Sequence, residues 1–365
     1  MSEATHIPVI DISTPSPNVA QQVLTAAKTH GFLFIQNDGV TIPPQDIEDM
    51  FHLSKKYFHQ PREAKAEFAI HSENAGGINR GWVSMQGESL DPQGQKDGKE
   101  AFNIAPSTPS TPLQPLPKIL AQSSPLISRF QTQCHALCTS ILDLLGTALD
   151  VPDPTYFSSR HDRARGSSGS IFRLLYYPET GTSGSGNEKK TEHGGGDGDG
   201  GESQIRAGAH SDYGSLTLLF RLPGQPGLEL LSLSNTATAE KTWVPVPVNP
   251  APATLSTPPI LVNIGDLLSF WTNGLLKSTV HRVTSTSSTT TSSTERYSIA
   301  YFCHPLDHIQ LDAVPSAVIQ EYGESKKGEE ELAGQRKRLG MGEGEGAVLT
   351  AKQHLDRRLK VTYGL

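Results

Sequence analysis

The chain has 365 residues, 35% of them hydrophobic and 19% charged, with a formal net charge of −7. That length carries one large domain or two smaller ones with an ample core, and an acidic chain without a basic stripe argues against nucleic acid as a main partner. Three cysteines are too few for a disulfide framework, the opening MSEATHIPVIDIS lacks the basic and apolar regions of a secretory signal, and no stretch approaches the ~18 apolar residues of a membrane span. A reduced, cytoplasmic setting without a membrane partner is the expectation.

In chain order, IPVIDIS (7–13) reads as a short buried strand, followed by a helix through VAQQVLTAAKTHG that Gly31 stops. FLFIQNDG (32–39) is a second apolar strand ending in a turn. Residues 43–61 form an amphipathic helix, with Ile47, Met50, Phe51, Ser54 and Phe58 at helical spacing. Residues 76–117, rich in Gly and Pro, are expected to be loops. Residues 118–149 carry one long helical pattern, with Ile127, Phe130, Cys134, Leu137, Ile141, Leu144 and Leu145 on one side. Cys134 and Cys138 read there as small buried apolar residues.

From Ile171 the texture changes to short β-rich runs: IFRLLYYP, SLTLLF, LELLSL, WVPVPV, ILVNIGDLLSFW, STVHRVT and RYSIAYFCHP. Many short strands with Gly and Pro turns predict an antiparallel barrel or sandwich. The polar, Gly-rich stretch 181–203 is a surface loop, and TSTSSTTTSST (284–294) is another. His193 in the first of these is not expected to be a ligand. Residues 315–360 are charged and helical around GMGEGEGA, and no internal repeat appears.

HSDYGSLTLLF (210–220) puts a histidine and an aspartate two apart at the mouth of an apolar run. On a strand, such residues point to one face, so His210 and Asp212 supply two thirds of a metal site. With 13 histidines in the chain, any single one can be an ordinary hydrogen-bonded polar group, and His281 alone would be read so. It nevertheless sits in a strand-like LKSTVHRV. Two histidines and one carboxylate make the facial triad that suits ferrous iron and leaves positions open for chemistry, whereas structural zinc prefers a closed set of four ligands.

In RYSIAYF the period-2 face holds Arg296, Ser298, Ala300 and Phe302. An arginine pointing inward needs an anion, and a guanidinium beside a hydroxyl fits one carboxylate. FRLLYYP offers Arg173, Leu175 and Tyr177 on a matching face, with Tyr177 able to supply a further hydroxyl. The plain alternative is that Arg296 caps a surface strand.

Taken together, HSDYGSLTLLF, STVHRV and RYSIAYF resemble the signature of the iron(II) and 2-oxoglutarate-dependent oxygenases of the isopenicillin N synthase-like superfamily. IPVIDIS, HGFLFIQNDGV, NRGW, KEAFNI and RLLYYP add to the likeness, which is nearest in texture to the microbial branch that includes thymine 7-hydroxylase. The resemblance implies an α+β fold: a double-stranded β-helix (jelly-roll) core with flanking N- and C-terminal helices. It divides the chain into an N-terminal helical and strand region (1–150), a jelly-roll domain (168–308, with the insert 181–203) and a C-terminal helical extension (309–365). It further implies that His210, Asp212 and His281 bind Fe(II), that Arg296 and Ser298 hold the distal carboxylate of 2-oxoglutarate with help from Tyr177, and that O2 is consumed as 2-oxoglutarate becomes succinate and CO2. Candidate substrate contacts are Phe302, Arg173, Tyr213 and Phe102. The chain departs from plant relatives at Leu175, where asparagine is common, and carries extra residues between His281 and Arg296.

The implied activity is hydroxylation of a small organic molecule, a pyrimidine-like ring, another heterocycle or a secondary metabolite, with desaturation or cyclisation open to the same site. The expected assembly is a monomer or weak homo-oligomer. Two rival readings are an isopenicillin N synthase-like Fe(II) oxidase that uses no 2-oxoglutarate, and a non-catalytic metal-binding jelly-roll protein.

Overall fold

The computed structural model describes residues 6–88, 96–106, 114–179, 205–233, 241–285, 295–341 and 348–363. Strand β1 (Val9–Ile10) pairs in parallel with β2 (Phe32–Ile35) across helix α1 (Pro17–Thr29). Ser16 caps α1 by accepting the Val19 N–H, and Pro17 takes the first turn, where its missing N–H costs nothing. Gly31 ends it with φ 69°; a Cβ there would sit 2.2 Å from the Lys277 carbonyl oxygen, so only glycine fits. Helices α2 (Pro44–Phe58) and α3 (Arg62–Ala66) follow.

Two expectations change in the next stretch. Residues 76–117 hold two strands, β3 (Gly81–Val83) and β4 (Glu100–Ile104), which extend the large sheet beyond its own turns. Runs of three and five residues are too short to show a period against a Gly- and Pro-rich background; pairing with a neighbouring strand makes them strands. The long helical pattern also breaks, into α4 (Lys118–Ala121) and α5 (Ser124–Ala148), because Pro125 has no N–H to donate and opens a new first turn. A short α6 (Tyr156–Ser159) leads into the strand-rich part.

There follow β5 (Ile171–Tyr177), β6 (Ile205–His210), β7 (Leu216–Arg221), β8 (Leu228–Leu233), β9 (Lys241–Pro245), β10 (Ile260–Ile264), β11 (His281–Thr284) and β12 (Arg296–Cys303). A large sheet runs β1-β2-β10-β7-β12-β5-β4-β3 and a smaller one β6-β11-β8-β9; every pair except β1 with β2 is antiparallel. The apolar run ILVNIGDLLSFW is not one β segment: Gly265 ends the strand part and Asp266 opens helix α7 (Asp266–Trp271). The C-terminal part is helical, as expected, with α8 (Ala317–Gly323), α9 (Lys326–Arg338) and α10 (Ala351–Tyr363). The 181–203 stretch with His193, most of the Ser/Thr run and most of GMGEGEGA lie outside the described residues.

Alternation along the strands divides the core in two. Tyr297, Ile299, Tyr301 and Cys303 of β12 join the larger cluster, where α1, α2 and α5 cover the large sheet, while Ala300 joins a smaller cluster between the two sheets. On β5 the same rule sends Phe172 and Leu174 outward to the helices and Leu175 and Tyr177 inward. All three cysteines are buried and free. Among the described residues no helix is long and apolar enough to cross a membrane.

Candidate active site

The inner face of the sheets carries the polar groups. His210 is the last residue of β6, and Asp212 lies beyond the strand in the turn leading to β7. The two were expected on one continuous strand face; instead the strand ends at His210, and the side chains still converge. His281 opens β11 directly opposite His210 in the ladder, so cross-strand pairing puts both imidazoles on one face. The three ligand atoms lie within 4.8 Å of one another, with Asp212 Oδ1 3.9 Å from His210 Nε2 and 3.8 Å from His281 Nε2.

Surrounding groups decide which atoms face inward. His210 Nδ1 donates to the Gly208 carbonyl at 2.7 Å and His281 Nδ1 to that of Thr279 at 3.2 Å, leaving both Nε2 atoms with lone pairs toward Asp212. Asp212 Oδ2 accepts from Thr217 Oγ1 and Asn263 Nδ2, each at 2.7 Å, which leaves Oδ1 for the imidazoles. Burial, then the neighbouring His281, push His210 down to about 3, so its ring is neutral at physiological pH. Burial alone would raise Asp212; the two imidazoles and the Thr217 and Asn263 hydrogen bonds outweigh it and hold the carboxyl below its usual range. Two imidazole nitrogens and an ionised carboxylate oxygen, each held by a second bond, form the donor set that a divalent transition metal takes.

One cavity extends from this cluster between the sheets to Arg296, Ser298 and Tyr177, walled by Leu175, Leu219 and Val283. Arg296 is 5% exposed. It donates from Nε to the Pro226 carbonyl at 3.1 Å, approaches Ser298 Oγ at 3.4 Å, and lies 4.8 Å from the centre of the Tyr177 ring. Arg296 and Tyr177 are direct partners in the β12–β5 ladder, and Ser298 pairs with Leu175. Among the described residues Arg296 has no carboxylate partner, so a buried cation is left facing a cavity.

A second cavity opens on the other side of the cluster, and His210, Asp212, Arg173 and Phe302 border both. Its wall includes Tyr213, Asn79, Glu88 and His304, and Leu355 and Leu359 of α10 roof it. Arg173 pairs with Glu88 at 2.6 Å, Glu88 with Lys99 at 3.1 Å, and Lys99 with Asp97, which accepts the Gly208 N–H at 2.9 Å. This buried chain of alternating charges leads back to the strand that carries His210. Tyr213 is covered by the Arg358 guanidinium at 4.7 Å.

Of the expected substrate contacts, Phe302, Arg173 and Tyr213 border this second cavity and Phe102 does not. Phe102 is 0% exposed and packs edge-on against Tyr57 at 4.9 Å in the outer core. Its partner in the ladder is Leu174, another outward residue, and Asn103 is the one paired with Arg173. Residues not singled out beforehand are Thr217, Asn263, Glu88, Asn79, Lys99 and the two leucines of α10. Asn263 alone left a signal, as a lone amide inside the apolar ILVNI.

Two family models match the chain: "non-haem dioxygenase in morphine synthesis N-terminal" over residues 7–122 and "2OG-Fe(II) oxygenase superfamily" over residues 168–305. UPF0676 protein C1494.01 of Schizosaccharomyces pombe is 31% identical over 98% of this chain and 93% of its own length. The 2-oxoglutarate-dependent dioxygenase caaD of Aspergillus niger is 27% identical over 82% of this chain and 84% of its own. Among solved structures, full-length thymine 7-hydroxylase of Neurospora crassa with alpha-ketoglutarate (2-oxoglutarate) superposes with a TM-score of 0.70 at 25% identity, covering 98% of this chain and 97% of that one. The same enzyme with alpha-ketoglutarate and thymine gives 0.69 at 26% identity, covering 98% of each.

Proposed function

Because the chain belongs to the 2OG-Fe(II) oxygenase superfamily, we propose that His210, Asp212 and His281 hold its iron and that Arg296, Ser298 and Tyr177 hold the distal carboxylate of 2-oxoglutarate. The protein is a 2-oxoglutarate-dependent dioxygenase acting on a small organic molecule. Iron with bound 2-oxoglutarate supplies oxidation of a substrate carbon by O2, paired with decarboxylation of the cosubstrate to succinate and CO2.

The single observation that carries the residue assignment is a buried guanidinium that has no carboxylate partner among the described residues and faces the His–Asp–His cluster across one cavity. The remaining residues bind and orient. Thr217 and Asn263 commit one oxygen of Asp212 so that the other is free for the metal. The carbonyls of Gly208 and Thr279 fix the imidazole tautomers. Leu175, Leu219 and Val283 line the stretch between metal and clamp with apolar groups, which strengthens the attraction between Arg296 and an incoming carboxylate.

In the same reading the fold is a jelly roll, supported by two sheets, antiparallel but for the β1–β2 pair, with a cavity between them. The chain divides into an N-terminal region (1–150), the catalytic domain (168–308) and a C-terminal extension (309–365) whose last helix covers the substrate cavity. Phe302 and Tyr213 offer aromatic faces there, while Asn79, Arg173 and Glu88 offer donors and an acceptor. That wall suits a flat ring bearing both kinds of hydrogen-bonding group. The Neurospora crassa neighbour has been solved with thymine and with 5-formyluracil, which are rings of this type.

The test is succinate formation by the Fe(II)-loaded protein with 2-oxoglutarate and O2, first alone and then with thymine, 5-formyluracil and other heterocycles. A substrate raises succinate above the substrate-free rate. The assignment fails if His281→Ala still binds iron and turns over normally.

A further inference from the structure

The sheet register places a second arginine beside the clamp. Arg221 ends β7 directly opposite Ser298 on β12. Residues directly paired in an antiparallel ladder project to the same face. Ser298 lines the cavity, so Arg221 projects to that side of the sheet. It is 7% exposed, lies 5.7 Å from the centre of the Phe34 ring, and donates to the carbonyls of Val246 at 3.0 Å and Pro247 at 2.7 Å. Among the described residues it has no carboxylate partner, and neither has Arg296.

Burial, and then the charge of Arg296, push Arg221 down to about 9; it remains a cation at neutral pH. Two buried cations of one sign are costly unless an anion joins them. One arginine already forks a carboxylate. If Arg221 served only to brace β7 against residues 246–247, a neutral amide would do so without a buried charge. The two carbonyls take one N–H each from Nη1 and Nη2, and Arg221 is not among the residues lining the clamp cavity, so its guanidinium acts on a bound anion through its field.

We propose that Arg221 is a positioning residue of the cosubstrate clamp, whose charge selects 2-oxo acids with a second, distal carboxylate. The inference rests on the assignment of Arg296 and Ser298 to that carboxylate.

The experiment is anaerobic calorimetric titration of the Fe(II)-loaded protein with 2-oxoglutarate and with 2-oxobutyrate, which lacks the distal carboxylate. The variants are Arg221→Gln, Arg221→Lys and Arg296→Leu, with melting curves to verify folding. Arg221→Gln is expected to weaken 2-oxoglutarate by about tenfold and 2-oxobutyrate by less than about twofold, as loss of a nearby charge in a low-dielectric site requires. Arg221→Lys keeps the charge and is expected to stay within about threefold of the unmutated protein for 2-oxoglutarate. Unchanged 2-oxoglutarate affinity in Arg221→Gln, or equal loss for both ligands, overturns the proposal. So does a loss in Arg221→Lys as large as the tenfold expected of glutamine, which decides the matter even if the glutamine variant does not fold. Full affinity in Arg296→Leu removes the clamp assignment itself, whereas a loss there with Arg221→Gln intact removes only the role of Arg221.

Discussion

Asn263, in the middle of β10, donates to Asp212 Oδ2 at 2.7 Å and thereby decides which carboxylate oxygen faces the two histidines. β10 belongs to the large sheet and His281 to the small one, so one hydrogen bond ties the metal cluster to both.

Replacing Asn263 with alanine is expected to weaken Fe(II) binding by about 10- to 100-fold, the usual range when a ligand's supporting partner is lost. Thr217→Val removes the other bond to the same oxygen and has the same sign of effect. Metal titration of the two variants checks this; unchanged iron affinity in both removes the orienting role.

Arg296→Leu is expected to reduce 2-oxoglutarate affinity by roughly thirtyfold or more, at ~1.4 kcal/mol per factor of ten, while iron content stays near normal. Lysine at that position rescues only in part, because it keeps the charge and loses the planar fork. Equilibrium titration, together with iron analysis of each variant, reads out both effects.

Phe102 and Phe302 separate packing from recognition. Phe102→Ala is expected to cost about 3–5 kcal/mol of stability, as for a buried phenylalanine, with substrate KM unchanged in the folded fraction. Phe302→Ala is expected to raise substrate KM, since its ring borders both cavities. Denaturant melts and steady-state kinetics on the two variants test the pair. A shifted KM in Phe102→Ala returns that residue to the site.

Arg358 anchors α10: it pairs with Asp266 at 3.0 Å, both side chains being largely buried, and Asp266 in turn accepts from Ser211 beside Asp212, the proposed metal ligand. Breaking a buried pair by removing one partner costs about 3–5 kcal/mol. Arg358→Ala is expected to loosen the roof, lower stability by that order, and raise the ratio of succinate to oxidised substrate. Coupled turnover at the unmutated ratio contradicts the role of α10 as a roof.

Acid sensitivity is expected at the contact between α2 and α5. Asp46 accepts from Arg129 Nε at 3.0 Å and Nη2 at 2.7 Å and from Gln133 at 2.9 Å, and the Arg129 hydrogen bonds lead in holding its carboxyl below the ordinary value of 3.8. A carboxyl with a depressed folded-state pKa contributes stability that is present above the unfolded value and lost as pH falls through the folded one. Asp46→Asn therefore melts below the unmutated protein at neutral pH, and the gap closes as pH falls below 3.8. A gap independent of pH assigns the effect to packing.

His210, Asp212, His281 and the Arg296–Ser298 face were legible in the chain because they follow local rules. Side chains two apart on a strand share a face, and several charged or metal-binding residues on such faces together point to a site where any one alone would not. Such patterns need only a few consecutive residues. Even so, Asp212 stands beyond its strand, which the pattern by itself did not reveal.

Contacts between distant segments left no such trace. Strands β3 and β4 exist because a sheet edge pairs with them, and ILVNIGDLLSFW becomes strand and then helix with Gly265 as the helix N-cap, packed too closely on the Gly214 carbonyl for any side chain. Phe102 points into the outer core because its ladder partner is Leu174, a matter of register rather than of residue type. The Glu88–Arg173 pair, the α10 roof and the seating of Arg221 opposite Ser298 each join residues far apart in sequence. Residue type and local period therefore determined what chemistry the chain carries. Pairing and packing across the two sheets, which depend on the whole chain closing at once, decided which groups meet around it.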